Sequence, residues 1–344
     1  MNIKDIAQKA GVSLSTVSRV INSSGYVKEE TKELVLKAMQ DLNYKRTNSS
    51  GKASKKSNRI GVIIPDITNP FFSGVLKGVY KVAVREKLNI ILCDTNENIN
   101  KEIGALEMLK EQSIKGLIIT PTTDRNEFNR KYLEQMDSMG VPIILLDRDL
   151  MYSHFDAVYV DNIKGSYEAV EALIHEGHRK IAVIAGPLTT KPGRDRVSGY
   201  EKALLMNNIP ADEKYMFYGD FRLESGYNLT KKVMAMKDPP TAIFVCNNMM
   251  TMGCLKALKE LNVRIPEDIA IIGFDDIDFI NLIDLQISVV DRPTAQMGEL
   301  AMDMLIDRIY NDKSPGNGEG VVKEVILPTN LIKRGSERLI AKDR

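Results

Sequence analysis

The amino-acid sequence predicts an N-terminal all-α helix-turn-helix head joined to an α/β body of two doubly wound lobes, and three observations predict it. A short basic N-terminal stretch carries three helical patterns and then runs into a polar segment with no hydrophobic periodicity. Beyond that segment, brief β-branched runs alternate with amphipathic helical stretches, the pattern of parallel sheets with helical crossovers. The strands so obtained are too many for one convenient sheet, so two lobes are expected, with a cleft where the carboxyl ends of their strands face each other.

In the head, Asn2 is placed to cap a first helix whose apolar stripe is Ile3, Ile6, Ala7 and Ala10, with Asp5 near its positive end. Gly11-Val12 supplies a turn. Ser13 can cap a second helix over Leu14–Ile21, with Val17, Val20 and Ile21 inward and Ser15, Thr16, Ser18 and Arg19 on the polar side. A third helix, about 29–42, carries Leu34, Val35, Ala38, Met39 and Leu42 at helical spacing. Residues 46–58 then read as a linker. In the body, Ile60–Ile64, Ile90–Cys93, Gly116–Thr120, Pro142–Asp147, Ala157–Val160, Lys180–Ile184, Ala242–Cys246 and Ile269–Gly273 are expected as buried strands. Helices fit between most of them, for example at Phe72–Lys87, Ile99–Gln112, Gly165–Glu176, Arg196–Asn207 and Met249–Leu261. The domains expected are a head over 1–45, a linker over 46–58 and a body over 59–344. Its first lobe takes about 59–161 and 291–320, its second about 162–290 and 321–336.

Charge supports a nucleic-acid partner for the head. The chain's net charge is only +1, but residues 1–57 hold 11 Lys and Arg against 5 Asp and Glu, a balance of +6. The remaining 36 basic and 41 acidic residues balance at −5. Phosphate neutralisation by such a head contributes much of DNA affinity. Cys93, Cys246 and Cys254 are too few for a disulfide framework and lack metal-ligand spacing, so they are expected as reduced core residues, with no metal and no cofactor. There is no apolar leader and no run of about 18 apolar residues, so a cytoplasmic protein without a membrane partner is expected.

The second head helix is short enough to enter a major groove with its N-terminal residues at base edges. Leu14 and Ser15 sit where bases would be read, the hydroxyls of Ser13, Thr16 and Ser18 can reach phosphates, Arg19 can reach a guanine or a phosphate, and Asn22 and Tyr26 complete the DNA-binding candidates. The string from Asp5-Ile6-Ala7 through Thr16-Val17-Ser18-Arg19-Val20-Ile21-Asn22, followed by Leu42-Asn43-Tyr44, resembles the head of the lactose-repressor/galactose-repressor family of bacterial transcription regulators. The likeness runs on through Gly61–Phe72, Val160-Asp161-Asn162, Gly177–Ile181, Arg196–Tyr200, Ile271–Asp276 and Arg334-Gly335-Ser336.

The resemblance implies a body of the periplasmic-binding-protein type I fold and a homodimer or higher homo-oligomer. It also implies palindromic double-stranded operator DNA as partner, a small sugar-like effector, and repression rather than activation. One segment departs from the family pattern. The resemblance implies a hinge helix with a leucine wedge for the minor groove, but Arg46–Lys55 has no leucine and poor helix formers. Operator binding is therefore expected to lean on the head and on linker Lys/Arg contacts to phosphate, and to be unusually salt-sensitive.

Ligand residues are expected just past strand ends. Asn69, Phe71 and Phe72 follow the first strand, where an aromatic ring can stack on a sugar face and the amide can bond hydroxyls. Asp147-Arg148 and Asp275 also end strands, and carboxylates accept paired hydroxyl hydrogens. Asn247 closes another strand, Phe221 is a candidate aromatic lid, and by resemblance Arg196 is the family's general ligand arginine. With Arg292 and Arg194, Arg148 and Arg196 could outweigh Asp147 and Asp275, which suggests an anionic sugar acid or sugar phosphate. No nucleophile, base pair or phosphate loop is legible, so no catalytic residue is expected and the chain is read as a non-enzyme. The alternative function is a catabolite-control regulator that takes a phosphocarrier protein as co-regulator.

Overall fold

The structure is a computed structural model that describes residues 3–22, 27–42, 58–277, 286–311 and 321–340. It divides into two compact units, residues 1–56 and 57–344. The head contains α1 (Ile3–Ala10), α2 (Leu14–Asn22) and α3 (Glu29–Asp41). Gly11 turns the chain with a φ of +65°, a conformation that costs glycine nothing, and lets the Val12 amide reach back to the Ala7 carbonyl at 3.1 Å. Ser13 caps α2 by accepting from the Thr16 amide at 3.1 Å. Ile6, Ala7, Val17, Val35 and Ala38 form the head's core, whereas Leu34 lies on its surface. The cap expected from Asn2 and nearly all of the 46–58 linker lie outside the described residues.

The body opens with β1 (Arg59–Ile64), α4 (Pro70–Arg85), β2 (Asn89–Asp94), α5 (Ile99–Glu111), β3 (Leu117–Ile119), α6 (Glu127–Ser138), β4 (Ile143–Leu146) and β5 (Asp156–Val160). It continues with α7 (Asn162–His175), β6 (Ile181–Ala185), α8 (Lys191–Met206), β7 (Met216–Tyr218), α9 (Leu223–Met234), β8 (Ala242–Val245), α10 (Asn248–Glu260) and β9 (Ala270–Phe274). β10 (Ser288–Asp291), α11 (Thr294–Asn311), β11 (Glu324–Leu327) and β12 (Asn330–Ile332) complete it. Two six-stranded sheets result, ordered β11-β5-β4-β3-β1-β2 and β12-β10-β9-β8-β6-β7. Every pairing is parallel except β10 with β12. Both sheets reverse direction at the same place, with β2 and β3 flanking β1 in one and β7 and β8 flanking β6 in the other. Those are the switch points where a doubly wound sheet opens a crevice.

The chain passes between lobes three times, after β5, after β10 and between β11 and β12. This corrects one expected boundary. Glu324–Leu327 pairs with β5 and belongs to the first lobe, so the final return to the second lobe comes between Leu327 and Asn330 rather than at 321. The reason is local: β11 is a four-residue edge strand with only Leu327 buried, too short and too exposed to show as a core strand. Gly78 on α4 and Gly298 on α11 let these helices meet backbone to backbone; an added Cβ would sit 1.9 Å from the Ala295 carbonyl or 2.0 Å from that of Val75. All three cysteines are free and buried. No helix among the described residues is long and apolar enough to cross a membrane.

His178, just past α7, is buried, and its ring meets Thr241 Oγ1 at 2.9 Å and the Glu337 carbonyl at 3.2 Å, tying the C-terminal segment to the second lobe. Burial pushes its pKa down. The unfolded chain therefore takes up a proton first, at about pH 6.5, and stability present above that pH is lost as the pH falls toward the lower folded value. Urea unfolding midpoints are expected to drop between pH 7.5 and 5.5, and to drop less in His178→Gln; equal slopes in the two proteins would count against this tie.

Candidate ligand cleft and nucleic-acid interface

The residues that follow the carboxyl ends of the strands in both lobes line one cleft between the lobes. All ten positions named from the sequence are brought together there: Asn69, Phe71, Phe72, Asp147, Arg148, Arg196, Phe221, Asn247, Asp275 and Arg292. Asp66, Glu97, Pro192, Asp220 and Arg222 join them without having been singled out.

Arg292 occupies the crossing after β10 and holds both lobes. Its Nε and Nη2 donate to the two carboxylate oxygens of Asp275, in the second lobe, at 2.5 and 2.9 Å; its Nη1 donates to Asp147, in the first, at 2.6 Å. The guanidinium lies over the Phe71 ring, 3.7 Å from its centroid. Burial works against the Arg292 charge, but Asp275 and Asp147 outweigh it and hold its pKa above the ordinary value. Arg196 stacks on Phe274 at 3.7 Å and donates to Asn162 Oδ1 at 2.9 Å and to the Cys246 carbonyl. With burial and then the like charge of Arg292 against it, its pKa is pushed down to about 10, so it stays protonated at neutral pH.

Backbone geometry aims several of these groups. Asp147, Phe221 and Asp275 have φ of 63°, 67° and 72°, and Asn96 and Glu97 have 49° and 52°. Left-handed non-glycine residues cost on the order of 1–3 kcal/mol each and gather where a side chain must be aimed. Two helix caps take part as well. Asn69 caps α4 by accepting from the Phe71 amide, and its Oδ1 also accepts from Asn248 of the other lobe at 2.9 Å. Asn247 caps α10 and donates its amide to the Phe221 carbonyl at 2.9 Å, which fixes that residue's bend.

The charge balance differs from expectation. Arg194 lies outside the lining, and five carboxylates (Asp66, Glu97, Asp147, Asp220, Asp275) face four arginines (Arg148, Arg196, Arg222, Arg292). Arg148 is paired in a fork with Glu97 at 2.6 and 2.8 Å, and Arg222 donates to the Asn96 carbonyl at 2.9 Å. The expected surplus of arginine charge is therefore absent. Glu97 was illegible because it stands 51 residues from Arg148 in sequence. Asp66 and Asp220, by contrast, stand two residues past the ends of β1 and β7 and carried much the same signal as Asp147, which directly follows β4. Among the described residues no cluster of His, Cys, Asp or Glu could hold a metal ion.

In the head, Leu14, Ser15 and Arg19 are exposed on α2, as is its cap Ser13; Thr16 and Ser18 are half-buried, and Val17 faces the core. The Ser13 hydroxyl is shared with Ser15 Oγ at 2.7 Å and Thr16 Oγ1 at 2.8 Å, which organises the helix start. The Asn22 side chain and Tyr26 lie outside the described residues.

Residues 2–47 match the bacterial regulatory proteins of the lacI family, and residues 170–337 match a periplasmic binding protein-like domain. The chain is 35% identical over 316 residues to the HTH-type transcriptional repressor PurR of Photorhabdus laumondii, covering 90% of this chain and 91% of that one. Among solved structures it is similar to the transcriptional regulator CelR in complex with cellobiose, with 28% identity, a TM-score of 0.72, and 98% and 99% of the two chains covered. It is also similar to the lac repressor dimer bound to operator and the anti-inducer ONPF, with 26% identity, a TM-score of 0.70 and the same coverage.

Gly186 leaves the space that the Phe221 ring fills, since a Cβ there would lie 2.0 Å from Cε1. Gly186→Ala is expected to swing Phe221 out of the cleft while leaving every charge in place, at a cost of about 1–3 kcal/mol. A crystal structure of the variant with Phe221 unmoved contradicts this.

Proposed function

The chain belongs to the lacI family of bacterial regulatory proteins, as a DNA-binding transcriptional repressor controlled by a small-molecule effector; from that premise we propose that the effector is a neutral, hydroxyl-rich, sugar-like molecule held between the two lobes. The observation that carries this reading is the Asp147–Arg292–Asp275 group on the face of Phe71. Its charges are already paired, and the lone pairs left on the two aspartates suit hydroxyl donors. A cleft with five carboxylates to four arginines offers a free anion no surplus attraction. That the CelR relative is a cellobiose complex agrees with a sugar-class effector.

In this reading the ten cleft residues named from the sequence bind the effector, and Ser13, Leu14, Ser15, Thr16, Ser18, Arg19, Asn22 and Tyr26 bind DNA. The chain acts as a dimer on a palindromic operator, with residues 1–45 as the reading head, 46–58 as the linker and 59–344 as the effector and dimerisation domain. No catalytic role is assigned. Effector binding shifts the lobes between two states, and this changes the spacing at which the paired heads meet DNA.

A thermal-shift screen of the full chain against neutral sugars, sugar acids and sugar phosphates tests the effector class, because a ligand of the native state raises its melting temperature by mass action. The largest shift is expected from a neutral sugar; a preference for sugar acids or phosphates overturns neutrality. Capture of a phosphocarrier protein with no sugar response favours the catabolite-control alternative. Arg19→Ala is expected to weaken operator binding about 10-fold or more with the screen's best sugar still bound. Asp275→Ala is expected to do the reverse, and equal damage to both activities by both variants contradicts the division of labour.

A further inference from the structure

The start of α8 is joined to the first lobe by contacts that leave the ligand cleft untouched. Arg194 donates through Nη2 to both carboxylate oxygens of Asp149, at 3.0 and 2.8 Å, and through Nη1 to Asp124. The Asp124 side chain is fully buried, whereas those of Arg194 and Asp149 keep about a third of their surface exposed, at 31% and 28%. The Asp124 amide donates to the Thr189 carbonyl at 3.0 Å, and Thr123 Oγ1 points to the same carbonyl at 3.4 Å. Lys191 lies over the ring of Tyr159 at 5.4 Å. Thr189, Lys191 and Arg194 belong to the second lobe; Thr123, Asp124, Asp149 and Tyr159 belong to the first. None of them lines the cleft.

We propose that Arg194, with Asp124 and Asp149, is a positioning group that holds the lobes closed independently of the effector and so sets how much of the unliganded repressor is closed. Three features favour this over an ordinary surface ion pair. The arginine meets two carboxylates from separate loops of the facing lobe, one of them wholly out of water, and a backbone hydrogen bond crosses the lobes beside it. Arg125, the other cation near Asp124, stands 3.7 Å from Oδ1 and comes from the same lobe, so it moderates the buried charge without joining the lobes. Arg194 is also two residues from Arg196 on the same helix, so a shift of this turn moves a cleft residue with it.

The consequence is thermodynamic. Weakening the Arg194 contacts lowers the closed fraction, and apparent effector affinity falls by the same factor although no ligand contact is lost. The effector's identity does not enter, so failure of the sugar reading would leave this inference standing.

Hydrogen exchange of the full-length chain without added ligand tests it, read at residues 120–126, where the Asp124 amide is covered only while the lobes are together. Arg194→Met is expected to speed exchange there by about threefold to tenfold, the range of a bidentate, partly screened pair. Asp149→Asn is expected to give a smaller increase in the same segment, and Arg194→Lys is expected to recover part of the protection. Exchange in β1 and β6, inside the two lobes, is expected to stay unchanged, which separates opening from unfolding. One molar salt is expected to speed the segment in the parent protein and to have little effect in Arg194→Met. Unchanged exchange at 120–126 in both Arg194→Met and Asp149→Asn overturns the proposal, as does acceleration spread equally over β1 and β6.

Discussion

A buried guanidinium between two buried carboxylates of different lobes is the constraint on which the rest of the body depends. Arg292, Asp147 and Asp275 are each no more than 5% exposed, and an unpaired charge at such a depth costs several kcal/mol. The arrangement is tolerable only if all three arrive together, and the fold delivers them from three strand ends. Asp147 follows β4, Asp275 follows β9, and Arg292 begins a crossing between the sheets. The left-handed bends at Asp147 and Asp275 are the local cost of aiming both carboxylates at one point. Phe71 and Phe274 then supply the flat faces on which Arg292 and Arg196 lie.

The same constraint links structure to regulation. A cleft whose wall includes an ion pair spanning both lobes cannot open without disturbing that pair, so the wall reports the relative position of the lobes. A ligand that hydrogen-bonds to Asp147 and Asp275 therefore has unequal affinity for the two arrangements, which is the requirement for any shift in population. Coupling must also be reciprocal: if effector alters operator affinity by some factor, operator alters effector affinity by the same one.

Much of this was legible in the sequence because parallel strands buried on both faces are short, β-branched and bounded by polar turns, and residues just past their ends were read as ligand candidates on that ground. Asn69, Phe71, Phe72, Asp147, Arg148, Asn247 and Asp275 came together for that reason, whereas Arg196 was named from the family resemblance and Phe221 as a candidate lid. What escaped has physical causes. Glu97 pairs with Arg148 across a loop whose left-handed turn at Asn96 and Glu97 has no glycine to announce it. Arg194 was counted with the cleft arginines, but it pairs with Asp124 and Asp149 outside the cleft lining, carboxylates 70 and 45 residues away in sequence. The edge strand β11 buries only Leu327, too little for a hydrophobic pattern to reveal.

A double-mutant cycle on Asp147 and Arg292, read by urea unfolding of Asp147→Asn, Arg292→Met and the double variant, tests most directly whether the two lobes are tied through this pair. A coupling of about 1.5 kcal/mol or more is expected, since Arg292→Met strands two buried carboxylates and Asp147→Asn then removes one of the stranded charges. Additivity within about 0.5 kcal/mol would contradict the account.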